Sequence, residues 1–135
     1  MIPKINLDCW VAQFFLFPGY STITIGPFVF SKEKKLPQSI INHECIHTRQ
    51  WMETTILASI IIWSIMLAKD ISPLWLLLAP VAMYALYLAE WFIKLFFYGG
   101  KAYKHLSFER EACKAEEDEH YFENSWYFAW IKYIF

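Results

Sequence analysis

At 135 residues the chain reads as one domain, and its composition sets it apart from an ordinary soluble one: 57% hydrophobic, 20% aromatic and only 19% charged. A membrane or membrane-edge protein is the class this implies. The formal net charge of −1, with no groove-like run of basic residues, excludes nucleic acid as a partner.

Taken from the start, "MIPKINLDCWVAQFFLFPGYS" has an early lysine and an apolar run, but Asp8 interrupts it and no small-residue cleavage site follows. It does not read as a signal peptide. Cys9, Cys45 and Cys113 form no C-x-x-C pair, so neither a disulfide framework nor a cysteine zinc knuckle is expected, and a reducing compartment fits. "YSTITIGPFVF", residues 20 to 30, alternates small polar and β-branched residues and breaks at Gly26-Pro27. It predicts a short hairpin or a kinked strand.

After the loop "SKEKKLPQS", Pro37 suits the first position of a helix, and nothing breaks that helix before Ala68. "KDISP" punctuates the chain at 69 to 73, and a second apolar run continues to Gly99-Gly100 with Pro80 inside it, where a kink is expected. These two arms predict a helical hairpin over 37–98, between an N-terminal segment (1–36) and a third helix with an aromatic tail (99–135). The second arm meets the length of about 20 residues that a bilayer crossing takes. The first does so only if Trp51 and Met52 are counted and Glu53 snorkels or faces protein. Trp51 and Trp91 mark one end of the hairpin, and Trp63 and Trp75 lie towards the other. Basic residues cluster on the histidine side (Lys32, Lys34, Lys35, Arg49, Lys101, Lys104, Arg110, Lys114) against Lys69 at the tip. The positive-inside rule then places the histidines in the cytoplasm.

Ser107 offers a partial N-cap to a helix over "SFEREACKAEEDEHYF". "KAEEDEH" within it reads as a solvated face, Glu90 and Lys94 as an ion pair, and "SWYFAWIKYIF" as an interfacial belt or a cap on the fold. Cys45 and Cys113 are expected to be small buried residues.

The chemistry lies in His43, Glu44 and His47, an H-E-x-x-H pattern. On a helix the two imidazoles stack one turn apart and can share a tetrahedral ion, while Glu44 is turned towards an adjoining water. Two neutral imidazoles hold zinc without cancelling its charge, and a carboxylate takes the proton of the water it activates. Topology nominates a third ligand. Counting about 1.5 Å per residue, the descent from His47 to the tip and the return to Gly99 are each about 39 Å, which brings the chain back to the level of the histidines. Glu109 is then the expected ligand and Glu111 the reserve. Glu109, Ala112, Cys113 and Glu116 share one face of their helix, and the small Ala112 would allow close approach to the histidine helix.

H-E-x-x-H followed by E-x-x-A on a later helix resembles the gluzincin metallopeptidases, and especially the compact minigluzincin core also found in membrane-embedded CAAX-prenyl proteases. The chain is also similar to small proteins with H-E-x-x-H-x-x-Q followed by F-E-x-E-A, which takes in Gln50 and Phe108. The resemblance implies zinc held by His43, His47 and Glu109, Glu44 as general base, and a strand ahead of the first helix. It covers two motifs and their order. Cys113 stands where the protease pattern has Asp, a residue that orients a zinc histidine; Glu116, one turn on, is its expected replacement.

No motif singles out an oxyanion stabiliser. His105, Tyr103, His120 and Tyr121 are the candidates on the correct side. Gln50 lies on the face of the histidines and would either touch substrate or cap a polar cluster.

The expected fold is therefore mainly α: a long helical hairpin carrying H-E-x-x-H, a short β element before it and a third helix supplying the last ligand. The expected function is a membrane-anchored, zinc-dependent metallopeptidase acting on a peptide or protein, with lipid around its arms and an extended substrate paired to the strand near 23–30. Three alternatives belong to other classes. The metal or a bare polar cluster only pins helices together; the chain is an accessory subunit of a larger membrane partner; or the hairpin packs into a soluble homo-oligomer.

Overall fold

The computed structural model describes residues 3–16 and 18–134, with the backbone alone at Phe15. The N-terminal segment forms β1 (Lys4–Asn6), a short helix α1 (Trp10–Phe15), β2 (Thr22–Ile25) and β3 (Phe28–Ser31). The predicted hairpin is present: β2 and β3 pair antiparallel with Ile25 opposite Phe28. Gly26, at φ 58°, supplies the positive φ that the first position of a two-residue turn requires. A Cβ there would also come within 3.3 Å of the Trp51 ring. β1 and α1 were not anticipated. β1 joins β3 in parallel, giving the order β1-β3-β2 and leaving β2 at an edge.

The hairpin of helices is built from α2 (Gln38–Lys69), a 3-10 segment (Pro73–Val81) and α3 (Ala82–Tyr98). α2 stops at Asp70, which takes a left-handed conformation. Pro80 does not kink an α-helix as expected, because the whole stretch from Pro73 to Val81 is wound as 3-10 and becomes α-helical only after it. A 3-10 segment rises about 2.0 Å per residue instead of 1.5 Å, so the second arm climbs faster than the first. The Trp51 indole N–H reaches the Pro80 carbonyl (2.9 Å), and the backbone N–H of Gly26 donates to the Tyr84 hydroxyl (2.7 Å).

The equal-arm expectation is corrected: Tyr87, and not Gly99, reaches the histidines, through a hydrogen bond to the Glu109 carboxylate that lies 3.4 Å from His47 Nε2. α3 runs eleven residues further, to Tyr98, or about 16 Å. The chain then doubles back through a 3-10 turn (Gly99–His105) into α4 (Ser107–Glu117). A ladder of contacts marks the return. Tyr98 stacks on His105 with ring centroids 3.9 Å apart, Lys94 donates to the His105 carbonyl, Glu90 accepts from both the backbone N–H and the hydroxyl of Ser107 (2.8 and 2.7 Å), and Tyr87 donates to Glu109 (2.8 Å). Ser107 is thus the first residue of α4 and is itself capped, by a carboxylate from another helix. The expected Glu90–Lys94 pair is present at 2.7 Å as part of that cap.

Two small apolar clusters hold α4 in place. Ile46, Ala112 and Ala115 pack with Tyr121 and Phe122, and the fully buried Ala112 gives the close approach read from the sequence. Met83, Phe108 and Trp130 form the second cluster, so the aromatic tail caps the fold through Trp130 while Trp126 and Tyr127 stay exposed; Phe135 lies outside the described residues. "KAEEDEH" is solvated apart from Ala115.

Away from the sheet the arms have no such cover. Two helical stretches, Gln38–Lys69 and Pro73–Glu117, are long and apolar enough to cross a membrane. Leu57, Ile61, Trp63, Leu67, Leu77, Leu88, Phe92 and Phe96 are among the large apolar side chains exposed along them. Glu53 faces protein and is 3% exposed, which answers the condition set for the first arm. Trp51 serves as a joint between the sheet, at Gly26, and Pro80.

Candidate metal centre

α2 presents His43 and His47 one turn apart, and α4 brings Glu109 to them. The three ligand atoms lie within 4.8 Å of one another. His43 Nε2 and His47 Nε2 are 3.0 Å apart, and Glu109 oxygens lie 3.6 Å from the first and 3.4 Å from the second. Atoms about 2.1 Å from a tetrahedral zinc ion stand about 3.4 Å from one another, so these separations, the two from Glu109 being to its two different oxygens, are within about 0.4 Å of such an edge.

The hydrogen bonds behind the imidazoles decide which nitrogens are free. Gln50 Nε2 donates to the Phe108 carbonyl (3.1 Å) and to Glu111 Oε2 (2.8 Å). Both partners are acceptors, so the amide orientation is set and Gln50 Oε1 must accept from His47 Nδ1 (2.9 Å). With its proton on Nδ1, His47 turns the lone pair of Nε2 to the site. His43 Nδ1 has Glu116 Oε1 at 2.5 Å. That contact is not aligned as a hydrogen bond, but a carboxylate at this distance favours a proton on Nδ1 and again leaves Nε2 facing inwards. Two facing lone pairs at 3.0 Å repel unless a cation lies between them.

In the metal-free protein the surroundings of His47 favour a proton in that place. Burial alone lowers the pKa of His47, but the hydrogen bond and charge of Glu109, with the charge of Glu44, outweigh it and raise the pKa from 6.5 to about 9. Glu109 shows the converse. Its burial favours the acid form, yet its contacts with His43 and His47, the charge of His47 and a hydrogen bond from Tyr87 hold it far below the usual carboxylate range. The centre holds positive charge against burial, as a metal site must.

Around the centre lies a pocket of about 450 Å³, walled by β2, α2, α3 and the Gly99–His105 turn. Glu44, 7% exposed, lines it, and its Oε2 accepts a short hydrogen bond from the Thr24 hydroxyl. Tyr103 also lines it; burial and the charge of Glu109 raise its pKa, so its hydroxyl remains a donor. Of the four oxyanion candidates Tyr103 alone lies here. His105 faces a second cavity of about 590 Å³ beyond α4, because the overshoot of α3 carries it past the centre. His120 is exposed beside Glu123, and Tyr121 packs behind α2 near the Tyr133 hydroxyl (3.4 Å).

Glu111, the reserve ligand, does not reach the centre. It is 1% exposed and binds Arg49 Nη2 at 2.7 Å as well as Gln50. Gln50 is the cluster residue and not a substrate contact: it is fully buried between His47 and α4. Cys113 is exposed, against the expectation of a small buried thiol, and is not among the ligands of the inner group. Cys45 is partly buried.

Tyr87, Tyr84 and Thr24 were missed. The apolar run around the two tyrosines masks their role, and a lone threonine in a strand carries no motif. The i,i+3 spacing of Tyr84, Tyr87 and Glu90, with Lys94 four residues further on, was the available signal that one face of this arm is polar at intervals.

Comparison with protein-family models, with curated proteins and with solved structures found no match.

Proposed function

We propose that this protein is a membrane-anchored, zinc-dependent metallopeptidase that hydrolyses peptide bonds. The observation carrying this reading is the convergence of His43, His47 and Glu109 in a pocket that also contains Glu44 and the edge strand β2. Zinc held by the two imidazoles and the Glu109 carboxylate would supply a polarised water and a Lewis acid for an amide carbonyl. Glu44 accepts the proton of the attacking water and delivers it to the leaving amine nitrogen, and Thr24 keeps the carboxylate turned into the pocket. Tyr103 donates towards the oxygen on which negative charge develops. The free edge of β2 aligns an extended peptide through main-chain hydrogen bonds. The arms lie in lipid with the centre on the cytoplasmic side, as the concentration of basic residues there supports.

Metal analysis and peptide hydrolysis by wild type and Glu44→Gln test the reading. The variant should keep one equivalent of zinc while cleavage falls about 10²–10⁴-fold. Undiminished cleavage by the variant overturns it.

A second reading is favoured by the buried Gln50–Glu111–Arg49 connection, which ties α2 to α4 and would make the metal a structural pin. In that case wild type holds zinc, and neither protein cleaves peptides. Sidedness is read separately, by labelling Cys113 and a cysteine placed at Ser72 with a membrane-impermeant maleimide in oriented vesicles.

A further inference from the structure

His43 faces two ways. Its Nε2 points to the inner centre, while its Nδ1 faces outwards onto a second group, with Cys113 and Glu116, whose ligand atoms also lie within 4.8 Å of one another. Nδ1 is buried and has no aligned hydrogen-bond partner, although Glu116 Oε1 is only 2.5 Å away. Cys113 is exposed, and the Glu116 side chain is 36% exposed. This group therefore opens to solvent, whereas the ligands of the inner one are more deeply buried. Its chemistry also differs: a thiolate beside an imidazole and a carboxylate selects soft divalent ions, zinc and cadmium before magnesium or calcium.

We propose that His43, Cys113 and Glu116 form a second, outer site for a thiophilic divalent ion, sharing His43 with the inner centre. The outer ion takes the place of the proton on Nδ1. A neutral imidazole offers one lone pair, so a ring that binds outwards through Nδ1 is withdrawn from the inner ion unless it loses its remaining proton. The two sites are therefore antagonistic. The inner one fills first because its ligands His47 and Glu109 are buried and held in place by Gln50 and Tyr87, whereas Cys113 and Glu116 lie at the surface, and the outer one fills when metal is in excess. This inference requires the inner metal centre but not peptide cleavage.

Titration of the purified full-length protein with Co²⁺ in detergent tests it, since a thiolate ligand gives a near-ultraviolet charge-transfer band that nitrogen and oxygen ligands do not. In wild type the first equivalent should bind without that band, and a second equivalent should produce it. Cys113→Ser should bind one equivalent with no band at any Co²⁺ concentration. Glu109→Ala should lose the first event and keep the band, so that failure of the inner centre and failure of the outer site give different results. Absence of the band in wild type at excess Co²⁺, or its persistence in Cys113→Ser, overturns the proposal.

Discussion

Gln50 joins His47 to Glu111: its amide oxygen accepts from His47 Nδ1 at 2.9 Å and its amide nitrogen donates to Glu111 Oε2 at 2.8 Å. One side chain thereby fixes the tautomer of a candidate ligand and ties the helix bearing it to α4. Gln50→Leu fills the space without either bond. Zinc affinity, measured by competition with a chromophoric chelator, should weaken about 10–100-fold, with the helix content retained. Unchanged affinity would show that the tautomer is set elsewhere.

Arg49 carries the far end of the same connection. It pairs with Glu111 at 2.7 Å and lies 3.7 Å from Glu53, with all three side chains at most 5% exposed. Removing the cation leaves two carboxylates buried without it, and Arg49→Met should destabilise the fold by about 3–5 kcal/mol. Unfolding in detergent measures this. Adding Glu111→Gln should restore part of the loss, because the second substitution removes one of the unpaired charges.

Proton linkage distinguishes this centre from a pair of ordinary surface histidines. His47 has its pKa raised to about 9, so below that pH the metal-free protein carries a proton that zinc must displace. Apparent zinc affinity should rise about tenfold per pH unit up to pH about 9 and level off above it. An unperturbed imidazole would level off near its ordinary value, and a plateau beginning there would contradict the buried pairing with Glu109.

Tyr103 and Tyr87 separate catalysis from binding. Tyr87 donates to Glu109 at 2.8 Å, so Tyr87→Phe should weaken zinc binding. Tyr103 lines the pocket and its hydroxyl also lies against Glu109 and Tyr87, so Tyr103→Phe should weaken zinc binding less than Tyr87→Phe does while kcat falls about 10²-fold, the cost of losing one oxyanion donor. Equal effects of the two variants on zinc affinity would remove Tyr103 from that role.

Glu90 is predicted to matter for folding although it lies in an apolar arm. It accepts two hydrogen bonds from Ser107 and pairs with Lys94, which is 9% exposed. Glu90→Ala removes the cap of α4 and leaves a buried ammonium without its counter-ion, and should destabilise more than Lys94→Met or Ser107→Ala alone. Thermal melts of the three variants rank them.

Much of the molecule was legible in its residues. Spacing alone aligns His43 and His47 on one face of α2, because helical periodicity is local. The same holds for the Gly26-Pro27 turn, the uninterrupted helix to Lys69 and the exposed apolar arms. Glu109 does lie beside His43 and His47, but the arm-length count that nominated it fails: α3 runs on past Tyr87 by about 16 Å, of which the 3-10 rise of the nine residues Pro73–Val81 accounts for only about 4–5 Å. The chain still returns Glu109 to the histidines, because Gly99–His105 reverses it and Glu90 and Tyr87 bind the start of α4.

What the tertiary structure decided are the contacts between residues far apart in the chain. No local pattern tells that Gln50 meets Glu111, that Thr24 holds Glu44, or that His105 is carried away from the pocket while Tyr103 stays in it. Hydrogen-bond partners across helices depend on rise, rotation and packing summed over dozens of residues, and an error of one turn exchanges one partner for another. The sequence by itself determined the donor types and their spacing on α2. Their enclosure, their tautomers and the two-sided position of His43 come from how α3 and α4 pack against it.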